Sequence, residues 1–157
     1  MTTIDDTATP PPRVARTAAR SPLLHEDITR AIIAAFYRVY NQLGYGFLES
    51  VYAAALAIEL AGMSLTAERE RCVEVWYCGD VVGSFRADLI VQGKVVVELK
   101  ATERLDGFAT RQLHNYLRCS DLEVGLVLHF GPRPSFHRVV HEKGRDGSDN
   151  YATRMRR

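Results

Sequence analysis

The sequence predicts an α/β domain, a mixed β-sheet with helices packed against it, in the order α-α-β-β-β-α-β-β. Three observations carry this. Apolar residues recur at helical spacing from Leu24 to Leu43. Three β-rich runs then follow one another, broken by Gly-containing pairs. Finally, a helical stretch separates the third run from two more strands, which gives an α/β arrangement.

The first helix is read from Ile28, Ile32, Phe36, Val39 and Leu43, which share one face at a period of 3.6. Gly44 is a plausible stop, and GYG at 44–46 separates a second helix over about 47–61. That helix carries Phe47, Leu48, Val51, Tyr52, Leu56, Ile58 and Leu60 among several alanines. Apolar residues all round predict burial all round. Strands are expected over 71–78, 81–91 and 94–101, with hairpin turns at Gly79–Asp80 and Gln92–Gly93. A helix over 108–118 and strands over 123–130 and 135–140 complete the domain, 23–141.

Residues 1–22 are rich in Thr, Ala, Pro and Arg and poor in large apolar side chains, so a disordered tail is expected there. Residues 142–157 read as a flexible basic tail. The first 22 residues hold three Arg against two Asp, and the last 16 hold five basic against three acidic residues. The whole chain is +1, so the stretch between is −2, and a broadly basic surface is not what points to nucleic acid here. Apolar residues at 46% and charged residues at 25% are ordinary for a globular domain. No run is long enough to span a bilayer, no signal-peptide core is visible, and three cysteines without CxxC spacing (Cys72, Cys78, Cys119) suit neither a disulfide framework nor zinc. A cytoplasmic protein, with no membrane partner, is expected.

Four charges interrupt apolar elements. Glu49 shares a helix face with Tyr52, Ala53, Leu56 and Leu60. Asp88 lies inside FRADLIV, and Glu98 and Lys100 end KVVVELKA. Carboxylates inside apolar elements are costly unless paired or bound to metal. Two of them on neighbouring strands can hold one hard divalent cation, which polarises a phosphoryl oxygen and lowers the pKa of a bound water. A lysine beside them can stabilise charge developing on phosphate. The competing readings are a surface Glu98–Lys100 ion pair, an edge or turn aspartate at 88, and a helix-dipole glutamate at 49.

Strand geometry adds a condition. A two-residue turn at Gln92–Gly93 would pair Val91 with Lys94 and put Asp88 opposite Val97, facing away from Glu98. A three-residue loop 92–94, or a bulge near Asp88, brings Asp88 opposite Glu98.

Asp88 followed by Glu98-x-Lys100, with Glu49 on a preceding helix, resembles the PD-(D/E)XK nuclease superfamily, whose fold is restriction-endonuclease-like. Gln112-Leu-His-Asn-Tyr116 resembles the QxxxY motif of its RecB-type branch. Gly46-Phe-Leu-Glu49-Ser-Val-Tyr52 resembles the GxxExxY motif of a family of small bacterial proteins within it. The likeness runs over about 25–131. It departs at Ala87, where the superfamily carries proline. The resemblance implies that Asp88 and Glu98 bind Mg²⁺ or Mn²⁺, with the Leu99 carbonyl and Glu49 as further ligands. It implies that Lys100 is the catalytic lysine, and that Gln112 and Tyr116 orient substrate or support the site. The expected function is metal-dependent hydrolysis of phosphodiester bonds in nucleic acid, DNA before RNA, by a metal-activated water. The alternatives are a non-catalytic module binding nucleic acid or protein, and a homodimer assembled through the apolar first helix.

The remaining polar and aromatic residues have ordinary readings. His129, in an apolar strand, is expected to be a satisfied core histidine. His137 and His141 would share one strand face if the strand ran on to 141, with surface placement favoured over metal binding. Trp76 and Tyr77 alternate with Val73 and Val75 as sheet packing, and Cys119 is a small hydrophobe at a helix end.

Overall fold

A computed structural model describes residues 23–143. The expected tails, 1–22 and 142–157, lie outside the described residues except for Glu142 and Lys143. The elements are α1 (Glu26–Leu43), α2 (Glu49–Gly62), β1 (Ala67–Tyr77), β2 (Asp80–Val91), β3 (Val95–Lys100), α3 (Gly107–Cys119), β4 (Val124–His129) and β5 (Ser135–Val140). One five-stranded sheet runs β1-β2-β3-β4-β5. Only β3 and β4 are parallel, joined by α3 as a crossover, and the other neighbours are antiparallel. The α/β order read from the sequence is the order observed. No helix among the described residues is long and apolar enough to cross a membrane.

The sheet separates two apolar layers. On one face Val95, Val97 and Leu99 of β3 and Leu126 and Leu128 of β4 meet Ile32, Phe36 and Val39 of α1 and Tyr52, Leu56 and Leu60 of α2. On the other, Val96 and Val127 meet Ala109, Leu113, Tyr116 and Leu117 of α3. With both faces covered, β3 and β4 are apolar almost throughout, as central strands must be. The apolar stripe of α1 packs into this layer.

Three features differ from expectation. β1 begins at Ala67 rather than 71, because its first turn of charges, Glu68 to Arg71, lies along a sheet edge where charge is tolerated. The β1–β2 hairpin turns at Cys78–Gly79, not Gly79–Asp80: Tyr77 pairs with Asp80, and Cys78 (φ 50°) and Gly79 (φ 89°) both take the left-handed conformation. And α2 is not buried all round. Tyr52, Ala53, Leu56 and Leu60 face the core, while Leu48 beside it and Ile58 on its outer face are 73% and 74% exposed.

The β2–β3 register meets the geometric condition. Val91 pairs with Val95, Ile90 with Val96 and Leu89 with Val97, leaving 92–94 as the loop. Gln92 (φ 53°) and Gly93 (φ 62°) are left-handed, and the Lys94 N–H donates to the Val91 carbonyl at 3.0 Å. β2 also turns over near its middle. Ala87 and Ile90 pack in the α3 layer while Leu89 packs in the other, so strict alternation fails between them. The β1–β2 ladder skips the Glu70–Asp88 pair at that point, and Glu70 is left-handed (φ 55°). This irregularity directs Asp88 out of the regular ladder.

Behind the end of β3, Gly131 leaves no room for a side chain. A Cβ there would lie 2.4 Å from His129 Cε1 and 2.8 Å from the Thr102 carbonyl oxygen. Gly131→Ala is expected to destabilise the fold by about 2 kcal/mol, as overpacking against backbone does. A denaturant midpoint unchanged from wild type would contradict this.

Candidate active site at the end of the third strand

The charges meet where β3 leaves the sheet. Pairing with β2 ends at Leu89–Val97, and the register places Asp88 across from Glu98. Asp88 Oδ2 accepts the Leu99 N–H at 2.7 Å, taking the place of a ladder bond. Lys100 Nζ donates to Glu98 Oε1 at 2.8 Å. Glu49 Oε1, in the first turn of α2, accepts the Ala101 N–H at 3.1 Å. Glu98 is only 8% exposed and lies on a central strand, which disposes of the surface ion-pair reading. Glu49 is held by the backbone of Ala101, just past β3 and 52 residues away in sequence, so it is more than a helix-dipole charge.

The three carboxylates share one electrostatic field. Burial pushes the Asp88 carboxyl above its usual range, opposed by the Leu99 N–H and the Lys100 charge and reinforced by Glu49. Burial also raises the Glu98 carboxyl, reinforced by Asp88 and Glu49 and opposed by Lys100. Ionising both acids in the folded state is therefore harder than in the unfolded chain. The sign follows: the folded protein holds these protons more tightly, so their contribution to stability is full below the ordinary carboxylate pKa of about 4 and is lost as pH rises through the raised values. Without metal, the wild type should lose stability between about pH 4 and neutrality relative to Asp88→Asn. Parallel thermal melts in EDTA across that range would check this, and parallel curves would refute it.

Each acid uses one oxygen for the bond described and has a second carboxylate oxygen, the ligand type that suits Mg²⁺ and Mn²⁺. Among the described residues, no group of three or more His, Cys, Asp or Glu side chains is placed to hold a metal ion by itself.

Not every expected residue converges. Tyr116 is buried in the α3 layer, and its hydroxyl has no hydrogen bond. Burial raises that phenol to about 12, with Arg71, Glu68 and Cys72 as its charged surroundings, not Asp88 or Glu98. Gln112 is half-buried one turn earlier on α3, and no described hydrogen bond joins it to the acids or Lys100. His129 is the satisfied core histidine expected, its Nε2 lying 2.6 Å from the Thr102 carbonyl oxygen. β5 ends at Val140, so His141 is not on the strand with His137, and its ring meets His114 edge-to-face at 5.3 Å. Cys119 is half-buried, which pushes its thiol up.

Sequence reasoning assigned no role to Tyr52, and the structure gives it one. Its ring stacks on Phe130 at 3.9 Å and 13°, and the Phe130 N–H donates to the Lys100 carbonyl at 2.7 Å. Its hydroxyl donates to the Gly44 carbonyl at 2.8 Å and accepts the Phe47 N–H at 3.3 Å. Tyr52 thus ties the 44–47 loop, and with it the Glu49 end of α2, to the end of β3. The signal was its position one turn after Glu49 on the same helix face. Arg86 was also missed. It is exposed, and its charge lowers the Asp88 pKa.

A comparison with curated proteins finds no match. A solved structure described as "Crystal structure of SSO0001" is similar at 19% identity and a TM-score of 0.48, covering 83% of this chain and 66% of that one, so this chain spans just under two thirds of its length. The family model of the PD-(D/E)XK nuclease superfamily matches residues 26–139, which include every element from α1 to β4 and nearly all of β5. With most of the sequence matched, this chain belongs to the PD-(D/E)XK nuclease superfamily.

Proposed function

We propose that this protein is a metal-dependent nuclease that hydrolyses phosphodiester bonds in DNA, with Asp88, Glu98 and Lys100 at the reacting centre. The observation that carries this reading is the shared field of Asp88, Glu98 and Glu49 around the Lys100 ammonium. Asp88 and Glu98, both raised first by burial and further by neighbouring carboxylates, are a poor structural choice unless a cation joins them. Asp88 and Glu98 would hold Mg²⁺ or Mn²⁺, with the Leu99 carbonyl and Glu49 completing the protein's share. The bound ion supplies charge neutralisation at the phosphate and a water of lowered pKa.

The chain's own groups do the rest. Glu98 holds the Lys100 ammonium in place, where it donates to phosphate oxygens and stabilises charge that builds in the transition state. The Leu99 N–H fixes the Asp88 carboxylate, and the Ala101 N–H fixes Glu49, so neither acid must be ordered when substrate arrives. The motif Gly46-x-x-Glu49-x-x-Tyr52 supports a GxxExxY reading, and the Tyr52 clamp on the Glu49 loop gives that spacing a physical reason.

The test is incubation of the purified protein with labelled DNA and RNA in Mg²⁺, Mn²⁺ or EDTA. Cleavage of DNA with either cation and none in EDTA is expected. Binding without cleavage in every condition would replace this reading with the non-catalytic module.

A further inference from the structure

Two lips flank the end of β3, and both expose aromatic rings. The first is the loop before Glu49, with Tyr45 57% and Phe47 46% exposed. This loop is rigid by construction: Tyr52 binds its backbone at both ends, and the Phe47 ring stands edge-to-face on Tyr52 at 6.1 Å and 83°. The second is the start of α3, which the six-residue loop 101–106 joins directly to Lys100. There Phe108 is 58% exposed, although it is the second residue of the helix and is fixed by its N–H bond to Asp106 Oδ1 at 3.0 Å. Exposed Arg104 and Arg111 lie on the same lip, and exposed Arg86 lies on the Asp88 side. Neither Phe47 nor Phe108 is needed to close either apolar layer.

Rings held open beside a phosphate-cleaving centre suit a ligand that offers flat faces. In a duplex those faces are stacked against one another, and the outside is phosphate. In a single strand they are free, and stacking on an aromatic ring contributes about 1–3 kcal/mol per base. Charge points the same way. The domain between the tails is net −2, so it lacks the dense positive surface that grips duplex phosphates.

We infer that the substrate is single-stranded DNA, or an unpaired end of a duplex, with bases on either side of the scissile phosphate stacked on Phe47 and Phe108. This rests on the nuclease reading above. The test is fluorescence anisotropy of the full chain in EDTA with labelled single-stranded and blunt duplex DNA, alongside cleavage of both in Mg²⁺. Single strands should bind at least about tenfold more tightly. Phe47→Ala and Phe108→Ala should each weaken single-strand binding about tenfold, and Phe47→Trp and Phe108→Trp should restore it. Thermal melts would confirm that each variant is folded, and Phe108, outside the Tyr52 clamp, carries the test if Phe47→Ala loosens its loop. Equal or tighter duplex binding, or unchanged affinity in the alanine variants, overturns the inference. Cleavage of duplex without preference overturns it while leaving the nuclease reading intact. Failure to bind or cut any nucleic acid removes both.

Discussion

Lys100→Ala is expected to lower cleavage by about 10²–10³-fold while leaving stabilisation by Mg²⁺ in place. The two readouts separate because the lysine and the acids do different work. Lys100 donates to Glu98 Oε1 and carries positive charge at the point where Asp88 and Glu98 converge. Removing it deletes a transition-state contact, but it also deletes a cation that competes with Mg²⁺ for the same carboxylates. In EDTA the variant should melt lower than the wild type, since Glu98 loses its partner while buried, at a cost of about 1–3 kcal/mol. Added Mg²⁺ should recover much of that difference, because a ligand that binds only the folded state raises its stability. Loss of the Mg²⁺ shift would instead make Lys100 a builder of the cation site. Undiminished cleavage would take it out of the chemistry.

Asp88→Asn should give the opposite pair of results: a more stable metal-free protein with neither a Mg²⁺ shift nor activity. The amide oxygen can still accept the Leu99 N–H, so the local backbone has no reason to move. What disappears is a charge that burial and Glu49 disfavour in the folded state and that makes Glu98 harder to ionise. A gain of about 1 kcal/mol at neutral pH is expected, a few degrees in a domain of this size. Cleavage should fall at least about 10²-fold. Destabilisation in EDTA would mean that the attraction between Asp88 and Lys100 outweighs burial and like-charge repulsion, and the case for a cation here would weaken. Active sites commonly trade stability in this way.

Much of this site is legible in the residues themselves, and what is not has specific causes. The helix α1 follows from Ile28, Ile32, Phe36 and Val39 because one stripe faces one sheet. The three-residue loop 92–94 is one of the two ways, with a bulge near Asp88, that chemistry rather than turn propensity offers for setting Asp88 across from Glu98, and it is the one observed. The overestimate of burial for α2 comes from composition: an alanine-rich helix with Leu48 and Ile58 looks apolar everywhere, and sequence does not say how many sides have neighbours. The early start of β1 is hidden by the charges of an edge strand. The turning-over of β2 between Ala87 and Leu89 depends on a left-handed Glu70 in another strand, which no local pattern announces. Tyr116 carries the right spacing from Gln112 but lies in a layer whose charged neighbours are on β1, because side chains four apart on a helix share a face without reaching the same point.

The valines of β3 have a consequence for how the chain reaches this structure. Val95, Val96 and Val97 are all buried, on both faces of the sheet. A hairpin slipped by one residue would bury the same atoms and lose almost nothing in hydrophobic contact, so the usual force that selects register is silent here. Selection falls to the left-handed pair Gln92–Gly93 and to the charges beyond the valines, which only the native pairing brings together. Lys100 offsets only part of the repulsion among the acids. The native register therefore has a near-degenerate competitor, compact but without the assembled site, and the divalent ion proposed above, added during folding, would favour the native pairing.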